Sequence, residues 1–383
     1  MHPMDVFRKG RRGINALSRL LQRSHFSGRD AAAPTVFIDL ERPIPIRSMR
    51  YLLILFSEGG YRIWLRGKFN RWFLNVGEDL TWHDGTEVAW GSPAAASNLT
   101  LCSDSSQLLH LNGFRKLIHL HYDYSPKLSL ADNHFAMPLP MHPQLYVEYD
   151  ESEHLEAYRS SPRKLRILFS GNCDEEGYDH PIFREVYGKL SRLEIMKAIR
   201  AHGWGKRISE GRLSELLDQD DHHNEFFLIH PRTRINQGHW LNTVSKSDFF
   251  LCPPGVVFAW SCNLVEAMAV GTIPITNYPE WLFPPLRHGI DALTFSTLPE
   301  LQDAVDLARR MSEAQIAEMR RNVIAFYEAH LAMKPFVSRM MDHPASIVHL
   351  HSWQETEAAA REACLGKALI QKSESHPRQW VDC

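Results

Sequence analysis

The chain has 383 residues, a formal net charge of -2, 44% hydrophobic and 23% charged residues. That length exceeds one ordinary core and suits two domains, and the near-neutral balance excludes the global positive field of a nucleic-acid binder. No run approaches the roughly 18 apolar residues of a membrane span.

The six cysteines (Cys102, Cys173, Cys252, Cys262, Cys364 and Cys383) form no C-x-x-C pair. This argues against a zinc ribbon or a redox dithiol and suits reduced thiols in a cytoplasmic protein. Residues 1–33 form a basic tail, with Arg8, Lys9, Arg11, Arg12, Arg19, Arg23 and Arg29 against Asp5 and Asp30. Arg19 and Arg23 interrupt any apolar core of a secretory signal. The tail reads as a solvated basic segment, as a peripheral contact of residues 1–30 with an anionic membrane surface, or as an organellar transit peptide.

Thr35–Asp39 reads as a buried strand. A helix follows from a Ser48 cap to Glu58, ends at Gly59-Gly60 and leads into a strand at Tyr61–Leu65, which makes a βαβ unit. Further strands are expected at Leu99–Cys102 and Lys116–Leu120, while Trp72–Pro93 resolves into no element. Residues 125–146, with Pro126, Pro138, Pro140 and Pro143, read as a long extended connection. A polar helix at Glu148–Ser161 closes an N-terminal domain of residues 34–155. The C-terminal domain, residues 163–332, repeats the alternation. It has strands at 165–169, Glu225–Ile229, Asp248–Cys252 and Ile273–Thr276, and helices at about 183–201, Trp240–Ser245, Asn263–Val270, Leu298–Arg309 and Ser312–Leu331. Residues 333–383 form an extension that is helical in parts. Two α/β domains with parallel sheets, joined by a Pro-rich crossover, are predicted.

The stretch Ser247–Pro279, SDFFLCPPGVVFAWSCNLVEAMAVGTIPITNYP, holds the most chemistry. A strand that stops at Pro253-Pro254 cannot continue its ladder, and Gly255 allows close approach of backbone to a ligand. Ser261 and Asn263 open a helix whose free N–H groups favour an anion. Glu266, one turn in, can face the same cleft and hold a pair of ribose hydroxyls. Two other motifs are discounted. Asp218-Gln-Asp220-Asp221, with His222-His223, precedes the amino end of a strand and reads as a solvated loop, and Gly203-Trp-Gly205-Lys206 lacks the P-loop spacing.

The strand SDFFLCPPG, the run S-x-N-x-x-E-A-M-A-x-G-T-I-P-I from Ser261 to Ile275, Tyr278–Leu282, Leu293–Phe295 and the late helices with Met311 and Met319 resemble the exostosin-like glycosyltransferases (family 47-like). More broadly they resemble the donor-binding half of GT-B glycosyltransferases. The resemblance covers about 165–330 and is faint over 35–150. It implies two Rossmann-like domains facing a cleft, each with a parallel sheet flanked by helices. The C-terminal half would bind a nucleotide-sugar donor and the N-terminal half a glycan acceptor, in polysaccharide or glycoconjugate synthesis, with no essential metal or other cofactor. Glu266 is then expected on ribose or sugar hydroxyls. Ser170-Gly171-Asn172 fits a phosphate-facing turn, and Arg232 and Arg234 fit a clamp on the leaving pyrophosphate. An inverting transfer also needs a base, for which Asp39, Glu41, His121 and Asp123 are candidates at strand ends. A GT-B epimerase and a non-catalytic nucleotide-sugar or glycan-binding module are the alternatives.

Overall fold

The apolar runs at Thr35–Asp39, Leu165–Phe169 and Ser247–Cys252 are buried throughout, as suits strands of a parallel sheet covered on both faces. The computed structural model describes residues 34–42, 44–66, 88–90, 99–107, 113–147, 154–172, 175–208, 213, 222–229, 235, 237–354 and 356–365. The first sheet contains β1 (Thr35–Asp39), β2 (Arg62–Leu65), β3 (Val88–Trp90), β4 (Leu99–Ser103), β5 (Lys116–His121), β6 (His134–Ala136) and β13 (Ile347–His351). Its order is β3-β2-β1-β4-β5-β13-β6. The second sheet contains β7 (Leu165–Phe169), β8 (Lys206–Ile208), β9 (His222–Ile229), β10 (Ser247–Cys252), β11 (Ile273–Thr276) and β12 (Leu293–Thr294), in the order β12-β11-β10-β7-β9-β8. Every pairing in both sheets is parallel. Two parallel sheets flanked by helices are the fold class that the sequence predicts.

The helices used below are α1 (Ile46–Glu58), α2 (Pro143–Val147), α3 (Leu155–Arg159), α4 (Arg192–Ala201), α5 (Trp240–Val244), α6 (Cys262–Ala269), α7 (Leu298–Arg310), α8 (Glu313–Phe326), α9 (Met333–Asp342) and α10 (Glu357–Leu365). Several depart from expectation. Helix α1 starts after Pro45, two residues before the expected cap, and the Ser48 hydroxyl is buried without a partner. The single helix expected over 183–201 is broken. A π-helical turn at Phe183–Tyr187 ends at left-handed Gly188, and α4 restarts from a capping box between Ser191 and Glu194. The connection at 125–146 is not simply extended, since it supplies β6 and most of α2. The C-terminal extension is not only helical. Its β13 inserts between β5 and β6 of the first sheet, and α9 packs on α1.

A continuous apolar interior joins the two sheets. Their carboxyl ends meet along an aromatic seam. Tyr124, just past β5, donates its hydroxyl to the Trp281 carbonyl beyond β11 at 2.7 Å. Trp353, just past β13, stacks edge-on against Trp260 at 4.8 Å, and Tyr51 of α1 lies against both indoles. Edge-to-face packing of this kind favours a defined mutual orientation of the halves. The second sheet is braced from its opposite end. The Asp248 carboxylate is fully buried between Arg166 of β7, at 3.0 Å, and Arg320 of α8, at 2.7 Å. No helix among the described residues is long and apolar enough to cross a membrane. The tail at 1–33 lies outside the described residues.

Candidate functional site

In a doubly wound sheet the chain leaves in opposite directions from one strand pair, and a crevice opens at that pair's carboxyl end. In the second sheet the pair is β7 and β10. Ser170, Gly171 and Asn172 follow β7, and Pro253, Pro254 and Gly255 follow β10. Asn263, in the first turn of α6, donates its amide to the Ser170 carbonyl at 3.1 Å. The guanidinium of buried Arg192, in α4, bridges the two loops. Its Nε donates to the Pro254 carbonyl and its Nη1 to that of Asn172, each at 2.8 Å, while the Tyr178 ring stacks 4.2 Å from its charge. Arg192 therefore sets a fixed positive charge at the switch point.

Ser261 is the N-cap of α6, but its side chain makes no capping bond. Its hydroxyl points instead toward the Pro253 carbonyl at 3.5 Å, and the first turn of α6 carries no acid. The Asn277 amide oxygen is buried at the end of β11 without a hydrogen bond, and the Thr276 and Tyr278 hydroxyls are buried on either side of it in sequence. The Tyr278 hydroxyl lies beside those of Ser261 and Thr276. A buried amide oxygen left unpaired is costly unless something completes it. Gly255 is required by the loop itself. A Cβ there would lie 2.7 Å from the Trp260 carbonyl oxygen and 2.8 Å from that of Phe258, so the close approach it permits is to backbone.

Glu266 departs from its expected place. It is 2% exposed, and both oxygens accept hydrogen bonds from the chain. Oε2 takes the Trp240 indole N–H at 2.7 Å, and Oε1 takes the His142 main-chain N–H at 2.8 Å. The carboxylate thus ties the crossover before α2 to α5 and α6, instead of standing free for a ribose. Burial pushes its pKa up to about 7 against the pull of these two donors. Arg232 and Arg234 lie outside the described residues.

The first sheet has its switch point between β1 and β4. Buried Asp39 ends β1 and pairs with Arg66 at 2.6 Å. Asp104 follows β4 and accepts the main-chain N–H groups of Glu41 at 2.7 Å and Arg42 at 3.2 Å, which holds the loop carrying exposed Glu41. Asp104 also accepts the Tyr122 hydroxyl at 3.2 Å.

One face of the neighbouring strands carries five imidazoles. His119 and His121 on β5 stand in register with His349 and His351 on β13, and His349 pairs in turn with His134 on β6. His121 Nε2 and His349 Nδ1 share a hydrogen bond at 2.9 Å, and His134 Nδ1 and His351 Nε2 share another at 2.8 Å. The other nitrogen of His351, Nδ1, lies 2.7 Å from the Asp123 carboxylate. Burial raises the Asp123 carboxyl, but the bond from His351 and its nearby charge outweigh that and hold it below the ordinary Asp value. Burial, reinforced by the neighbouring rings, pushes His121 down to about 4. His119, His134 and His349 are lowered mainly by the same burial. The four candidate bases therefore fall into two groups, Asp39 with Glu41 and His121 with Asp123. The sequence reading passed over Asp104, Arg192, His119, His134, His349 and His351. A readable signal for the last group was the repeated triplet His-Leu-His at 119–121 and 349–351.

No protein-family model matches this chain, and no curated protein matches it. Among solved structures it is similar to sucrose-phosphate synthase of Thermosynechococcus elongatus, with 10% identity, coverage of 81% of this chain and 98% of that one, and a TM-score of 0.41. The Anabaena protein HepE, solved with UDP and glucose, has 10% identity, 81% and 99% coverage and a TM-score of 0.38. The N-terminal domain of Candida albicans trehalose-6-phosphate phosphatase has 8% identity, 84% and 100% coverage and a TM-score of 0.41. The fold class rests on the chain's own strand order and parallel pairing.

Proposed function

We propose that this chain is a glycosyltransferase of GT-B layout that moves a sugar from a nucleotide-sugar to a hydroxyl of a glycan acceptor. The observation that carries this reading is the opposite chemistry of the two facing sheet edges. The second sheet's edge offers the α6 start with the Ser261 hydroxyl and the charge of Arg192, a set suited to the diphosphate of a donor. The first sheet's edge offers carboxylates and imidazoles, which suit removal of a proton from an acceptor. Arg232 and Arg234 complete the proposed clamp. Ser170, Gly171, Asn172, Gly255, Ser261 and Asn263 shape the donor loops, and Glu266 positions α6 against the crossover.

In the proposed reaction the acceptor oxygen attacks the anomeric carbon while the bond from that carbon to the diphosphate oxygen breaks. Asp123 takes the acceptor proton. It is more than half exposed, and the bond from His351 Nδ1 orients it. The nucleoside diphosphate departs with the bonding electrons onto the anion site. The exostosin-like affinity stays within this proposal and rests on the run from Ser261 to Ile275. The test is a thermal-shift screen against nucleoside diphosphates and nucleotide-sugars, followed by transfer assays with the responding donor. A ligand at about 100 times its Kd adds about 2.7 kcal/mol. A selective rise in Tm with one nucleotide, and acceptor-dependent release of its diphosphate, are expected. Product from the donor alone would favour an epimerase, and binding without turnover a binding module.

A further inference from the structure

We propose that the imidazole cluster on the first sheet binds one divalent transition-metal ion of the zinc class, with His119, His121 and His349 as ligands. The reasoning starts from register. His119 and His121 are two residues apart on β5, so both side chains project from the same face. His349 on β13 pairs directly with His119, which brings a third ring to that face from a strand more than 200 residues away. One nitrogen from each of the three rings lies within 4.8 Å of the other two. A tetrahedral zinc ion with Zn–N bonds of about 2.0–2.1 Å places its ligand nitrogens about 3.3 Å apart. The His121–His349 pair, at 2.9 Å, is already at that scale. A metal would replace the proton that these two nitrogens now share, and side-chain rotation brings in His119.

The surroundings match what holds imidazole ligands in place. The main chain of Asp104 lies beside the His119 ring, where an outer contact can fix a ligand's tautomer. The His134 ring stacks on His349 at 4.3 Å and the His351 ring on His121 at 4.8 Å, and Asp123 holds His351 in turn. Imidazole donors select ions such as Zn²⁺ or Cu²⁺ over Mg²⁺ or Ca²⁺, which prefer oxygen. Three protein ligands leave a fourth position for water. This inference does not need the proposed sugar transfer, although its site neighbours the proposed base Asp123, and the site is distinct from the second sheet's edge.

The test uses the full chain, stripped with a chelator and dialysed against Zn²⁺ or Co²⁺. The expected result is one retained equivalent per chain, a visible Co²⁺ absorption band of nitrogen ligation and a rise in Tm with Zn²⁺. Affinity should fall at least tenfold in both His119→Asn and His349→Asn and stay unchanged in His202→Asn, an exposed control on the second half. No retained equivalent, or retention in both cluster variants equal to that of the unmodified chain, would overturn the proposal. Should the variants fail to fold, the unmodified chain still decides, because absence of the Co²⁺ band and of any Zn²⁺-dependent Tm rise would overturn it as well.

Discussion

The two sheets are both parallel, each reverses its winding at one strand pair, and they carry opposite chemistry at their carboxyl edges. At the second sheet's switch point a buried guanidinium, Arg192, joins the loops after β7 and β10. At the first sheet's switch point the carboxylates of Asp39 and Asp104 sit at the ends of β1 and β4, and the imidazole face lies beside them. The same winding rule therefore makes two crevices, and the residues placed in them decide what each can bind. One edge suits an anion and the other a proton or a cation.

The comparison can be broken first at its foundation. Asp248→Ala removes the buried carboxylate that Arg166 and Arg320 share, so each guanidinium loses a buried counter-charge. We expect a loss of about 3–5 kcal/mol, measured by urea unfolding, with the second sheet losing amide protection before the first. Next is Glu266, which joins the halves. An ordinary Glu titrates near 4.5, and this one is raised to about 7. Between those values the folded chain keeps a proton that the unfolded chain has released. Stability therefore falls as pH rises through that window, by about 3 kcal/mol in all. Trp240→Phe removes one donor from the buried carboxylate and should steepen that fall. A Tm-against-pH series on both proteins checks the sign.

Two substitutions sharpen the comparison at the edges. Asp123→Asn should lower kcat about a hundredfold and leave nucleotide affinity unchanged, because it touches only the first edge. Arg234→Ala should lower turnover about tenfold, or about 1.4 kcal/mol, and weaken the nucleoside diphosphate. Steady-state kinetics paired with direct binding separates the two effects.

Local sequence made the buried strands legible. Thr35–Asp39, Leu165–Phe169 and Ser247–Cys252 are continuous apolar-rich runs ended by turn residues, and every residue in them is buried. Helix α6 was equally plain from its polar start and small residues. What stayed hidden depends on contacts distant in sequence. His134–Ala136 is three residues within a Pro-rich stretch and becomes a strand only because β13 arrives beside it. The Glu266 carboxylate reads as cleft-facing until His142, 124 residues earlier, is placed on it. The imidazole cluster joins residues 228 apart, so no local window contains it. The break before α4 was a different kind of miss, because Gly188 and the Ser191–Glu194 capping box were both readable in place.

The most direct test of the division between the edges is calorimetric titration of nucleoside diphosphates into the unmodified chain, Asp123→Asn and Arg234→Ala. The account predicts saturable binding of one nucleotide, with a Kd unchanged within about twofold in Asp123→Asn and weakened about tenfold in Arg234→Ala. Absence of nucleotide binding, or its loss in Asp123→Asn with Arg234→Ala unaffected, would contradict it.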